Sequence, residues 1–224
     1  MGSLQIKPVE KNDYLEYLDL EKIAWKGTEI TPISKEIFSS WIDIFPEGCK
    51  KAINHKGKIV GVIASQICNF NPHSHDSQKS FNELTDSGMI LRTHNSSGDS
   101  IYIVTNSAVQ AGAGYKLMGS LCSLTQKMEK KYCLGSCRLP GLATACIEHN
   151  ISNPNKDFVW TYVQELFKRM PKKDRLFKLD PVLSVLARYP DAQLYDVVKD
   201  FLPEHDKQSR NWSCVMGWEN PNYK

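Results

Sequence analysis

The amino-acid sequence predicts one α/β domain, 1–224, on a mixed central sheet of about seven strands flanked by helices. Three observations carry that prediction. Apolar, β-branched runs of strand length alternate along the chain with segments of helical period. One such run, "IYIVTNSAVQAGAGYKLM" from Ile101 to Met118, passes through Gly112 and Gly114 directly into a helical pattern. The 224 residues, without internal repeat, suffice to bury a substantial core.

The elements follow in order. A short apolar stretch, Leu4 to Ile6, opens the chain as a strand. In "NDYLEYLDLEKIAW" the residues Tyr14, Leu15, Leu18 and Ile23 recur near helical spacing. In "SKEIFSSWIDIF" Ile37, Phe38, Trp41, Ile42 and Phe45 do so behind Ser34, a suitable N-cap. Trp25 and Trp41 are expected in the core. "PEGCKKAINHKGKIVGVIASQIC" reads as a hairpin: a strand at Lys50 to Asn54, a turn through Gly57, and a longer strand from Ile59 to Cys68. Residues 69–99 are rich in Ser, Asn, His and Asp around one apolar island, Met89 to Leu91, and read as a polar insertion of the kind that often carries function. After the strand at Ile101 come a helix over about Gly112 to Lys131 and the strand "YCLGSCR". An extra helix follows at about 155–170, with Phe158, Val159, Tyr162, Val163, Leu166, Phe167 and Met170 on one face. That face must pack, either over an acceptor pocket or into the core. "DPVLSVLARY" is a short helix with Pro181 in its first turn, and strands near Gln193 to Val198 and Ser213 to Trp218 complete the order.

Composition excludes several classes of function. The 28 basic and 25 acidic residues are interspersed, and a net charge of +3 makes no basic stripe for nucleic acid. The opening "MGSLQIKPVEKNDY" has no apolar core of a leader, and no apolar run approaches the ~18 residues of a membrane span. A cytoplasmic protein with no membrane partner is expected. The seven cysteines are odd in number, and all but Cys49 sit in apolar runs, as small buried hydrophobes do in a reducing compartment. Cys133 and Cys137 with His73 and His75 lack zinc spacing, so no metal is expected.

The strand that feeds into glycines has a specific use. A helix N-terminus presents unpaired N–H groups and the positive end of its dipole, which together suit phosphate oxygens. Glycine lets backbone approach them. The backbone from Gln110 through Ala111, Gly112, Ala113 and Gly114 to Tyr115 faces such an anion, and bulk at Gly112 or Gly114 is expected to block it. A lone G-x-G is equally a tight strand-to-helix turn.

The succession of elements resembles the GNAT (Gcn5-related N-acetyltransferase) fold over nearly the whole chain. "LRTHNSSGDSIYIVTNSAVQAGAGYKLM", "GSCRLPG", "DPVLSVLARY" and "WENPNY" are similar to GNAT domains beside bacterial carbon-nitrogen hydrolases and to GNAT-like polyketide synthase loading domains. The resemblance implies that the glycine turn binds the pyrophosphate of acetyl-CoA or another acyl-CoA. It also implies that the preceding strand, including Val104 and Thr105, splays from its neighbour to admit the pantetheine arm. Two departures stand out. Val109 occupies the R/Q position of the R/Q-x-x-G-x-G/A turn, with Gln110 one place later. The helix expected to carry an acid tyrosine has Leu183, Val185 and Leu186 instead, and Tyr189 at its end.

The candidate catalytic residues are Tyr189, as the acid for the departing thiolate unless solvent supplies that proton, His149, as a proton carrier or a helix-end residue after "LATACIE", and Arg138, at the strand edge where ligands enter open α/β sheets. Arg138 suits an acidic acceptor or a carboxylated acyl group, or a surface ion pair. His94, with Arg92 beside it, lies in a block that resembles the family sequences and suits a functional role or, with more weight, a structural one in the insertion. Three functions fit these residues: acyl transfer to a small amine, loading of an acyl carrier protein with or without decarboxylation of malonyl-CoA, and non-catalytic acyl-CoA binding. Family frequency favours the first.

Overall fold

The computed structural model describes residues 3–169, 183, 185, 189, 191–202 and 206–223. Strands β1 (Gln5–Pro8), β2 (Lys50–Ile53), β3 (Ile59–Cys68), β4 (Ser100–Ala108), β5 (Tyr132–Arg138), β6 (Ala192–Lys199) and β7 (Trp212–Glu219) form one mixed sheet in the order β1-β2-β3-β4-β5-β7-β6. β4 and β5 are parallel and the other neighbours antiparallel. The helices are α1 (Tyr14–Ala24), α2 (Lys35–Ile44), α3 (Phe81–Thr85), α4 (Ala113–Lys127), α5 (Leu142–Glu148) and α6 (Lys156–Arg169). No described helix is long and apolar enough to cross a membrane.

Every residue of β3 is buried, as its continuous apolar run requires of a central strand. Alternate side chains of β3 and β4 supply two cores. Ile63, Ile67 and Ile101 pack with Leu117, Met118 and Leu121 of α4 on one face. Val62, Ala64 and Val104 pack with Tyr17, Phe38 and Trp41 of α1 and α2 on the other. Val159, Val163 and Leu166 of α6 join the α4 core, so the apolar face of this helix is a packing face. Met170 lies outside the described residues.

Three expectations change. In α1 the buried face is Tyr17, Leu20 and Glu21, while Leu15 and Ile23 are 72% and 56% exposed. The acid at Glu21 hid that stripe, and the tertiary contacts described below are what stabilise it there. α5 was given no place in the succession of elements, because seven residues carry little periodicity to read, although His149 is the helix-end residue that one reading of it expected. The stretch 69–99 is folded against the domain rather than looped out of it. Ser80 and Glu83 form a capping box on α3. Trp41 Nε1 donates to the Gly88 carbonyl at 2.6 Å, and Ser77 Oγ donates to Asp196 of β6 at 3.0 Å. Of "DPVLSVLARY", Leu183 and Val185 are helical, and most of the remainder lies outside the described residues.

Candidate active site

β4 and β5 pair only from Ser100–Tyr132 to Tyr102–Leu134 and then part. Ile103 stands at the fork over Gly135, where a Cβ would lie 3.1 Å from its own Cβ. On the other edge of β4 the register with β3 passes from Ser65–Ile103 to Ala64–Thr105, leaving Val104 as the extra residue of a β-bulge. A bulge leaves its residue unpaired and turns the strand. The fork and the bulge therefore leave polar backbone at the middle of the sheet without a full complement of strand partners.

Beyond Ala108 the Val109 amide donates to the Val60 carbonyl at 3.0 Å, and the Ala113 amide to the Gln110 carbonyl at 3.0 Å, closing a tight turn into α4. Gly112 is the N-cap at φ 84°, ψ −12° and has no side chain to cap the helix. Gly114 is helical and buried, and a Cβ on it would meet Ala108 and Val185 at 3.6 Å, ordinary contact. The two glycines thus differ: Gly112 is required by backbone conformation, whereas Gly114 faces inward. The first turn of α4 contains no acid but does contain Lys116, whose Nζ donates to the Leu4 carbonyl at 3.1 Å. A cation there opposes the helix dipole, and an anion would offset it. Val109 is 39% exposed beside this turn.

The opposite mouth of the fork joins the segment after α1 to the one before β7. Trp25 Nε1 donates to Ser107 Oγ at 3.3 Å. The Arg138 guanidinium lies over the Trp25 ring, 4.9 Å from its centroid. It also donates to both oxygens of Asp206, at 2.7 and 2.6 Å, and to Gln208 at 3.3 Å. Lys207 pairs with Glu29 across the same seam. Trp25 is therefore a half-buried residue at the mouth and not the core aromatic expected, because α1 ends just before it.

The sequence-named residues do not converge. Arg138 is beside the fork but tied to Asp206 in a pair whose side chains are 11% and 2% exposed, a buried ion pair instead of a surface one. The Tyr189 hydroxyl donates to the Tyr115 carbonyl at 2.7 Å, and its ring stacks on Tyr115 at 4.7 Å. A side chain at Gly119 would collide with that hydroxyl, so Tyr189 packs along α4. Burial raises its pKa far above the usual phenol value. His149 is exposed at the far end of α5, edge-on to Phe158 at 5.8 Å. His94 Nδ1 accepts from the Ile67 amide at 3.3 Å, pinning the insertion to β3, and burial lowers its pKa. Arg92 pairs with Asp86 at the surface. The buried pair of Tyr17 and Glu21 was missed. Its only signal was a tyrosine and a carboxylate spaced i, i+4 on one helix.

All seven cysteines are buried. Burial pushes the Cys49 and Cys68 thiols up to about 12. Cys133 and Cys137 belong to the α4 core.

No family model matches the chain. Over 195 residues it is 31% identical to the uncharacterized N-acetyltransferase YkwB of Bacillus subtilis (strain 168), covering 85% of this chain and 76% of that protein. Among solved structures, the GphF GNAT-like decarboxylase in complex with isobutyryl-CoA superimposes with a TM-score of 0.67 at 15% identity, over 96% of this chain and 99% of that one. The loading GNATL domain of CurA from Lyngbya majuscula does so with a TM-score of 0.66 at 16% identity, over 97% and 98%. These likenesses are of fold, and they include the mixed seven-stranded sheet. Relative and fold together establish that the chain belongs to the Gcn5-related N-acetyltransferase superfamily of acyltransferases.

Proposed function

We propose that this protein transfers an acyl group, acetyl in the simplest case, from an acyl-CoA to a small primary amine by direct attack on the thioester. The observation that carries the reading is the parting of β4 from β5 beside an uncapped helix N-terminus. Backbone N–H groups of the turn from Gln110 to Tyr115 bind the pyrophosphate. Lys116 adds the side-chain charge that Val109 does not supply. β4 backbone beyond Tyr102 holds the pantetheine arm by hydrogen bonds that β5 leaves free. In transfer, the amine nitrogen bonds to the thioester carbon while the carbon–sulfur bond breaks, and an N–H at the Val104 bulge stabilises the oxyanion. The acceptor enters beside the stacked pair of Trp25 and Arg138.

The test is mass spectrometry of the protein with acetyl-CoA and with malonyl-CoA, first alone, then with a panel of small amines and with an acyl carrier protein. Acetylated amine supports the proposal. Acylated carrier protein, with or without loss of carbon dioxide, would replace it with the loading reaction that the GphF and CurA proteins bring to mind. Tight binding without transfer to any acceptor would replace it with a binding module.

A further inference from the structure

Tyr115 and Tyr189 form an aromatic pair that the transfer reaction above leaves without a use. Their rings are stacked, 4.7 Å between centroids with 28° between planes. The Tyr189 hydroxyl is fixed on the Tyr115 carbonyl at 2.7 Å and lies where a side chain at Gly119 would stand. Gly119 is about one helical turn beyond Tyr115, so Tyr189 backs the Tyr115 ring from the C-terminal side. Tyr115 keeps 37% of its surface exposed. A single exposed tyrosine is ordinary; a ring locked in one plane by a second ring is a preformed flat surface.

Position gives that surface a use. Tyr115 is the third residue of α4, about 4.5 Å along the axis from the Gly112 N-cap. Helical side chains lean towards the N-terminus, so the ring overhangs the glycine turn and not the body of α4. In that turn the Ala113 amide is taken by the Gln110 carbonyl, and the helical ladder begins with the Lys116 amide on the Gly112 carbonyl at 3.1 Å. The amides of Gly114 and Tyr115 lie between these two and have no partner among the described residues. A pyrophosphate held by them carries ribose and base on its outer side, where the first turn of α4 has no acid to repel it.

We propose that the outer face of Tyr115, backed by Tyr189, is the platform on which the adenine of CoA stacks, so that the protein takes its acyl group from a free acyl-CoA in preference to a donor held on phosphopantetheine alone. This rests on the acyl-CoA reading above. Two flat apolar faces are desolvated against each other, and such stacking is worth about five- to a hundredfold in affinity when the aromatic ring is removed. The contact needs the ring of Tyr115 and not its hydroxyl. Tyr189 acts as a positioning residue, its hydroxyl anchoring the platform on the α4 backbone. A donor without the adenosine gains nothing from the pair.

Three variants and one spectrum test this. In isothermal calorimetry with CoA, Tyr115→Leu and Tyr115→Ala should bind about five- to a hundredfold more weakly than the wild type, and Tyr115→Phe, which keeps the ring, within about threefold of it. The adenine H2 and H8 resonances of CoA should move upfield on binding to the wild type, in the ring current of Tyr115, and stay in place on binding to Tyr115→Leu. A leucine variant that binds CoA as tightly as the wild type, or a phenylalanine variant as weak as the alanine one, overturns the platform. So do adenine resonances that stay unshifted in the wild-type complex; CoA then binds by its arm and phosphates, and the acyl-CoA site itself stands. Wild-type protein that binds no CoA overturns that site and the platform with it. The wild-type spectrum involves no substitution, so a variant that fails to fold does not shield the proposal from refutation.

Discussion

Replacing Gly112 by alanine separates conformation from bulk at the phosphate turn. Gly112 sits at φ 84°, and a Cβ there would meet only Leu4 Cδ1, at 3.9 Å, so space is not the obstacle. The left-handed backbone is. Holding a non-glycine residue in it costs about 1–2 kcal/mol. In the free protein the turn can relax away from that strain, but binding the pyrophosphate requires the original arrangement and restores it. The strain then appears as lost affinity, and since 1.4 kcal/mol is tenfold, Gly112→Ala should weaken CoA binding by about five- to thirtyfold. Gly112→Asn, whose residue tolerates this region, should recover most of the loss. Gly114→Ala is the internal control: its Cβ enters ordinary contact with Ala108 and Val185, so affinity should hold and stability should rise by up to about 1 kcal/mol. Isothermal calorimetry with CoA, alongside thermal melts, measures all three. Unchanged affinity in folded Gly112→Ala, or an asparagine variant as weak as the alanine one, would refute the reasoning.

Tyr189→Phe should lower kcat less than threefold, because its hydroxyl already serves the Tyr115 carbonyl; a hundredfold loss at unchanged KM would restore it as the general acid. Arg138→Ala leaves Asp206 buried without its partner and should cost about 3 kcal/mol in urea denaturation, so that instability dominates any effect on acceptor binding; a cost under about 1 kcal/mol would count against this. Because burial holds the Cys49 and Cys68 thiols near 12, iodoacetamide at pH 8 should leave both unmodified in the native protein and label them once it is denatured, as peptide mass mapping would show. Rapid native labelling at either position would contradict the burial.

The fold was legible wherever a pattern was long enough to outweigh local noise. β3, an unbroken apolar run, and α2, with Ser34 accepting from the Ile37 amide at 3.3 Å, match their sequence signals closely. α1 shows where such reading fails. Hydropathy assigns Leu15 and Ile23 inward and Glu21 outward, yet the helix is rotated so that Glu21 is buried and the two aliphatics are exposed. The reason is a set of partners outside the helix: Ile33, 12 residues on, for one carboxylate oxygen, and Phe38 and Trp41 of α2 against the Tyr17 ring. No window of sequence contains them.

The candidate site divides in the same way. The glycine turn is local, since one strand end, one left-handed residue and one helix start are consecutive in the chain, and the string from Ile101 to Met118 therefore specifies it. The fork between β4 and β5, the bulge at Val104 and the seam of Trp25, Arg138 and Asp206 are relations between segments, set when the sheet closes. Arg138 illustrates the limit: residue type and strand edge suggested a ligand contact or a surface ion pair, and only the return of the chain with Asp206, 68 residues later, made it half of a buried ion pair. Hydrophobic periodicity is a short-range property and specifies elements. Which polar groups are left without a strand partner, and which acid is buried beside which hydroxyl, depends on desolvation by distant parts of the chain, and that was decided by the tertiary structure.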